Sequence, residues 1–181
     1  MWDAIALLES RGAGVIRHPG GTLLAHLRRV HARLDAWGGR SDLLSAGMCH
    51  AFYGTDGFAV SLGDVERRDE LAEVIGESAE RLVYVYGCCD RGRSYPGLAE
   101  GGEFVDRFTG APMALSEGER RDFAELTVAN ELDVVDAGAL NAQQARGLYE
   151  LFGRWRPLLS PAAAREVELR LTAPTTEPTD A

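Results

Sequence analysis

Apolar residues recur along this chain at steps of three and four, and glycines and prolines punctuate the runs. Leu23, Leu27, Val30, Leu34 and Trp37 form the cleanest stripe, with Arg28, Arg29, Arg33 and Asp35 on the other faces. This predicts an amphipathic helix over Leu23 to Trp37. Thr22 stands where a cap belongs, and Gly38-Gly39 ends the run. Trp2 to Ser10 reads as a short helix with Trp2, Ile5 and Leu8 on one face. Between the two, Arg11 to Gly21 is rich in turn formers and reads as a loop.

Ser41 is the expected cap of the next helix, which runs through Leu43, Leu44, Met48 and Phe52 and closes at Gly54. Asp64 is expected to begin a third, carrying Val65, Leu71 and Val74, with Gly76 as its breaker. Glu77 to Cys89 predicts a fourth, with Ala79, Leu82, Val83 and Tyr86 inward. Its segment LVYVYGCC has strand propensity, but Glu80-Arg81 leads into it and its neighbours are helical, so helix is the reading. Asp90 to Gly102 reads as a loop, and Glu103 to Phe108 with Ala111 to Leu115 as a small β-hairpin. Ser116 and Glu119 make a capping box that opens a long helix to the region of Ala137. Asn141 caps another, ending near Trp155, and Ser160-Pro161 starts a last one to Leu171. The predicted fold is all-α: a single helical domain over residues 1–171, about eight helices with a hairpin near 103–115, and a disordered polar tail over 172–181.

Composition narrows the function. An apolar share of 45% and a charged share of 26% are those of an ordinary globular chain with a sizeable core. No apolar run approaches a membrane span. The N-terminus has an acid and no basic cluster, so no signal peptide is read and a cytoplasmic protein is expected. A net charge of −9 argues against a nucleic-acid partner. All 19 Lys+Arg residues are Arg, which excludes Schiff-base and P-loop lysines. With the richness in Ala, Gly and Leu, this points to a GC-rich genome such as an actinobacterium. Cys49, Cys88 and Cys89 make no disulfide framework and read as buried thiols.

Chemistry concentrates in AGMCHAFYGTDGF, Ala46 to Phe58, where a helical run carrying His50 breaks into a Tyr-Gly-Thr-Asp-Gly turn. His26 lies on the preceding helix, and helices joined by a short turn usually pack antiparallel. Inward histidines on such a pair can converge. A single buried histidine is more often one satisfied by backbone or side chain. The pair shifts the reading toward a site. His31 is expected to face solvent, and Arg17-His18-Pro19-Gly20-Gly21 reads as a plain loop rather than a cover for the pocket. Tyr84, Tyr86 and Tyr95 are expected to pack.

His26 with the following Leu-Arg-Arg-Val, and His50 in AGMCH, resemble the HD-domain superfamily. The resemblance is closest to the hydrolase domain of RelA/SpoT-type alarmone enzymes, where H-P-x-x-V-A is followed by A-x-L-L-H-D. LAEVIGESAERLVYVY (Leu71 to Tyr86) and LTVANELD (Leu126 to Asp133) resemble the family's later stretches, so the pattern covers Thr22 to Val135. His50, Tyr53, Gly54, Thr55 and Phe58 look like the H-x-x-Y-G-T-x-x-F signature of a divergent HD-like family.

The resemblance implies metal-binding histidines at His26 and His50. The Asp that should follow the second histidine is Ala51, the acidic pair beyond it falls on Gly54 and Thr55, and the last metal Asp falls on Asn130. A hard divalent ion needs anionic oxygens to offset its dehydration. The expectation is therefore no cofactor. The alternative is a divalent metal on His26, His50 and Asn130, with Glu80 or Asp90 as a completing acid. Without metal, the expected catalytic set is His26 and His50 as acid and base, with Tyr53, Thr55 and Asn130 as hydrogen-bonding partners. Asp90, Arg91 and Arg107 are the substrate-binding candidates, an arginine holding a carboxylate or phosphate.

The function expected on this basis is an HD-like enzyme with a degenerate metal site. It would act on a small anionic metabolite by hydrolysis or histidine acid–base chemistry, in an actinobacterial secondary pathway. The alternative is a non-catalytic HD-like pseudoenzyme that binds a small ligand or a protein partner. No nucleic-acid or membrane partner is expected, and a homodimer is left open.

Overall fold

The stripe on the first long helix is buried as its spacing requires. In a computed structural model that describes residues 2–171, α2 (Leu23–Ala36) turns Leu23, Leu27, Val30 and Leu34 wholly inward. The tail expected to be disordered lies outside the described residues. The fold is all-α. Before α2 comes α1 (Trp2–Ser10); after it come α3 (Ser41–Cys49), α4 (Asp69–Ile75), α5 (Glu77–Cys88), the short α6 (Arg91–Ser94), α7 (Glu117–Asp136), α8 (Ala142–Arg154) and α9 (Pro161–Arg170). Two antiparallel hairpins complete it among the described residues: β1 (Arg17–His18) with β2 (Gly21–Thr22), and β3 (Phe104–Val105) with β4 (Pro112–Met113). The second is the hairpin expected near 103–115, with Phe104 opposite Met113.

Local chemistry sets most boundaries. Thr22 accepts from the Ala25 N–H at the start of α2, and Ser160 from the Ala163 N–H at the start of α9. Ser116 with Glu119, and Asn141 with Gln144, form reciprocal capping boxes for α7 and α8. Each such cap stabilises its helix by about 1 kcal/mol.

Two hydrophobic clusters meet on α2. Leu8, Leu23, Leu27, Met48, Phe52, Leu71 and Val83 form one. Val30, Leu34, Val85, Phe104, Phe123, Leu126 and Trp155 belong to the other. α2 and α3 approach closely because Gly47 faces Leu34: a Cβ there would stand 2.5 Å from Leu34 Cδ1.

Several expectations are corrected. On α1 the buried residues are Ala4 and Leu8, while Trp2 is 85% exposed. Ser41 is not a cap: Arg40 O already accepts the first helical bond, from the Leu44 N–H, so Ser41 lies inside α3. α3 stops at Cys49 rather than Gly54, because the Phe52 carbonyl is taken by the N–H groups of Leu62 and Gly63. Asp64 starts a turn instead of a helix. Its carboxylate accepts from the Glu66 N–H and its carbonyl from the Arg67 N–H, and α4 begins at Asp69. The stretch read as a loop at Arg11 to Gly21 contains β1 and the first residue of β2, and the one at Asp90 to Gly102 contains α6 and a 3-10 turn over Tyr95–Gly97. His31 is half-buried and donates from Nδ1 to Leu44 O at 3.0 Å.

Candidate functional site

His26 sits midway along α2 and His50 just past the end of α3, and both are almost fully buried, at 1% and 2% exposure. The close packing of these two helices aims the rings at each other, Nε2 to Nε2, at 3.3 Å. α7 supplies the third side. Asn130 Oδ1 lies 3.1 Å from His26 Nε2. Three residues further on, and therefore on the same helix face, Asp133 Oδ2 lies 2.6 Å from His26 Nδ1.

The outer ring nitrogens define the tautomers. The Gly47 carbonyl can only accept, so His50 Nδ1 donates to it, at 2.8 Å. Burial works to raise the Asp133 carboxyl, but bonds from His26 and Arg29 outweigh it and hold the group well below the usual carboxylate range. Asp133 is therefore an ionised acceptor for His26 Nδ1–H. With both imidazoles neutral, three acceptors would meet at one point: two Nε2 lone pairs and the Asn130 oxygen. The Asn130 amide cannot relieve this, because its Nδ2 donates to Glu131 Oε1 at 3.2 Å. One proton on His26 Nε2, shared between His50 and Asn130, satisfies the whole arrangement.

Two neighbouring imidazoles are kept neutral. Burial pushes His50 down to about 3, with the charge on His26 acting in the same direction. Burial and His26 likewise push His18 down to about 4. His18 stacks on His26 with ring centroids 3.9 Å apart, and Phe58 meets its edge at 5.4 Å. The hairpin read as a plain loop therefore covers the first histidine. Tyr86 closes the inner side, edge-on to His50 at 5.1 Å.

His18, His26, His50 and Asn130 line a cavity of about 270 Å³, which Thr55, Gly57, Phe58, Arg91, Glu131 and Val134 also face. A larger open groove lies behind Asp133, but its charges are spent on one another, Arg33 on Asp136 and Glu166. The cysteines offer no nucleophile, because burial pushes Cys49 and Cys89 up to about 12 and raises Cys88 as well.

The predicted site residues divide. His26, His50, Thr55, Asn130 and Arg91 come together on the cavity. Tyr53 does not: its hydroxyl donates to Glu80 at 2.9 Å, and Arg68 holds the same carboxylate with Nε at 2.7 Å. Glu80 is thereby committed away from the histidines. Asp90 caps α6 through the Arg93 N–H. Arg107 donates to the Gly87 carbonyl and lies over the Phe108 ring, in a different cleft with Tyr53. Sequence reasoning missed Asp133, Glu131 and His18. Asp133 and Glu131 stand within the LTVANELD stretch beside Asn130, at helical spacings that place them near it.

The donor set bears on the metal that the HD resemblance implies. Two imidazole nitrogens and one amide oxygen converge, and no carboxylate oxygen joins them. Asp133 is bound to His26 Nδ1 and Arg29, and Glu131 to Arg91 and Asn130. This set does not fit an oxygen-seeking divalent ion, which requires anionic ligands.

Residues 7–91 are similar to a family described as a domain of unknown function (DUF6817). No curated protein and no solved structure matches the chain.

Proposed function

We propose that the cavity is an acid–base site for a small metabolite with an anionic group, in which His26 moves the proton and Arg91 holds the anion. One observation carries this reading. His26 is set between the ionised Asp133 on one ring nitrogen and the paired acceptors His50 and Asn130 on the other. Asp133 orients the ring and supports its charged form, the role a carboxylate plays behind a general acid or base. His50, held neutral by burial, accepts the hydrogen bond from His26 Nε2–H. The Thr55 hydroxyl has no hydrogen-bond partner among the described residues and is available to the ligand. The reaction class is hydrolysis or proton transfer, with no step through a metal.

The size of the cavity supports a small substrate. About 270 Å³ lies under the roughly 300–1,000 Å³ of sites for drug-sized molecules, so nucleotide specificity of the alarmone type is not part of the proposal. A second reading, a binding module without turnover, is favoured by the depth at which His50 is locked to Gly47.

The test is a panel of small carboxylate and phosphate metabolites, their esters and amides, assayed with wild type, His26→Gln and His50→Gln. The proposal expects turnover of at least one compound, reduced by about 10²–10⁴-fold in either folded variant. Full activity in both variants would falsify it. Ligand-dependent thermal stabilisation without turnover would select the binding module.

A further inference from the structure

Beside the histidines, a guanidinium and a carboxylate face the cavity together. Arg91 Nη1 donates to Glu131 Oε1 at 3.0 Å, and the side chains are only 24% and 13% exposed. Asn130 Nδ2 donates to the same oxygen at 3.2 Å. Neither partner is saturated. The Arg91 backbone N–H goes to Asp56, but Nε and Nη2 of its side chain have no acceptor among the described residues. Glu131 Oε2 has no donor among them. The Arg91 guanidinium lies over the rings of Tyr86 and Tyr95, at 6.0 and 5.8 Å from their centroids, and against Gly57, where a Cβ would stand 3.2 Å from Nη1. The pair is thus fixed in place, with spare donors on one member and a spare acceptor on the other.

We propose that the ligand is a zwitterion of the α-amino-acid type, its carboxylate on Arg91 and its ammonium on Glu131. This rests on the reading of the cavity as the ligand site and makes its anionic group one half of a pair. Charge balance between two part-buried side chains selects the ligand. A plain anion on Arg91 either sits against the Glu131 carboxylate or displaces it, leaving a part-buried charge uncompensated. A zwitterion does neither. Its two charges alternate with those of Arg91 and Glu131, and the four together remain neutral. Asn130 then spans the distance to the chemistry, since its oxygen faces His26 Nε2 and its nitrogen faces Glu131. Phe58 and Val134 add apolar lining and no third charge.

The experiment is thermal shift and calorimetric titration of the full chain with each of the twenty standard L-amino acids. Propionate and 3-methylbutyrate serve as carboxylate-only probes, and ethylamine and isobutylamine as ammonium-only probes. At about 100 times its Kd, a bound amino acid raises the melting temperature by about 5–10 °C in a chain of this size. At least one amino acid is expected to do so, while neither half-probe does. Glu131→Gln keeps the oxygen used by Arg91 and Asn130, so the fold is retained. It is expected to weaken the amino acid at least tenfold and to admit the plain carboxylates. Equal binding of a carboxylate-only probe by wild type, unchanged amino-acid affinity in Glu131→Gln, or no binding of any amino acid at millimolar concentration would each overturn the proposal. Amino-acid binding without turnover by wild type removes the acid–base reading alone; turnover of a substrate lacking the ammonium removes the zwitterion alone.

Discussion

Arg29 grips both oxygens of Asp133, with Nε 2.7 Å from Oδ1 and Nη2 2.9 Å from Oδ2. The same side chain reaches the carbonyls of Pro19 and Gly20. One arginine therefore ties the carboxylate behind His26 to the hairpin whose His18 lies on top of it. Asp133→Asn keeps the shape and removes the charge. It also allows the amide to offer an N–H to the imidazole, which reverses the tautomer. Turnover is expected to fall by about 10³–10⁴-fold, with a loss of about 3 kcal/mol in stability. Steady-state rates and melting curves on the purified variant check both; an active Asn variant would mean that the carboxylate does not orient the ring.

Acid should unfold this protein earlier than its carboxylates alone require. His18 and His50 titrate at about 4 and about 3 in the folded chain, against 6.5 in the unfolded one. Above pH 6.5 both are neutral in either state, and their contribution to stability is complete. Below it the unfolded chain takes up protons that the folded chain refuses. Stability then falls by about 1.4 kcal/mol per pH unit for each histidine, down to the folded value. Asp133, held below its ordinary 3.8, adds its own loss as pH drops below that value. Denaturant midpoints between pH 7 and 4 should show the slope, and His18→Phe, which keeps a ring on His26, should flatten it. A midpoint independent of pH across that window would refute the neutral-histidine account.

Gly63 and Gly47 both lie against side chains, but their alanine variants should differ. A Cβ at Gly63 would stand 2.0 Å from the Phe52 ring, which is rigid and wholly buried. At Gly47 the obstacle is the end of Leu34, which can change rotamer. Gly63→Ala is expected to cost about 3 kcal/mol or more and Gly47→Ala about 1–2 kcal/mol. Equal melting temperatures for the two would contradict this ranking.

Tyr53→Phe removes one hydroxyl from the Glu80 carboxylate and leaves Arg68 in place. A loss of about 1 kcal/mol is expected, with ligand affinity and turnover at the histidine cavity unchanged. A fall in turnover without a fall in stability would return Tyr53 to the site.

Four of the five helix caps are legible in the sequence, Ser41 being the exception, whereas features set by distant packing are not. Thr22, Ser116, Asn141 and Ser160 cap the helices they were expected to cap, because a cap involves atoms within a single turn. The end of α3 and the turn at Asp64 depend on where the Phe52 carbonyl finds donors ten residues on, and periodicity carries no trace of that. His26 and His50 could be paired from helix faces and a short turn. His18 could not, because it reaches His26 through a two-residue strand whose only sequence mark is a run of turn formers. Asp133 was within reach. Three residues beyond Asn130 on a helix, it shares that residue's face, although the HD pattern marks only Asn130.

The cavity also crosses the boundary of the similarity that the chain shows. Residues 7–91 carry His18, His26, His50, Thr55 and Arg91, whereas Asn130, Glu131 and Asp133 arrive on α7. In this chain the histidines and the arginine thus lie inside the matched stretch, and the amide and the carboxylates that contact them lie outside it. The cavity is therefore complete only where α7, from beyond the matched stretch, packs against α2.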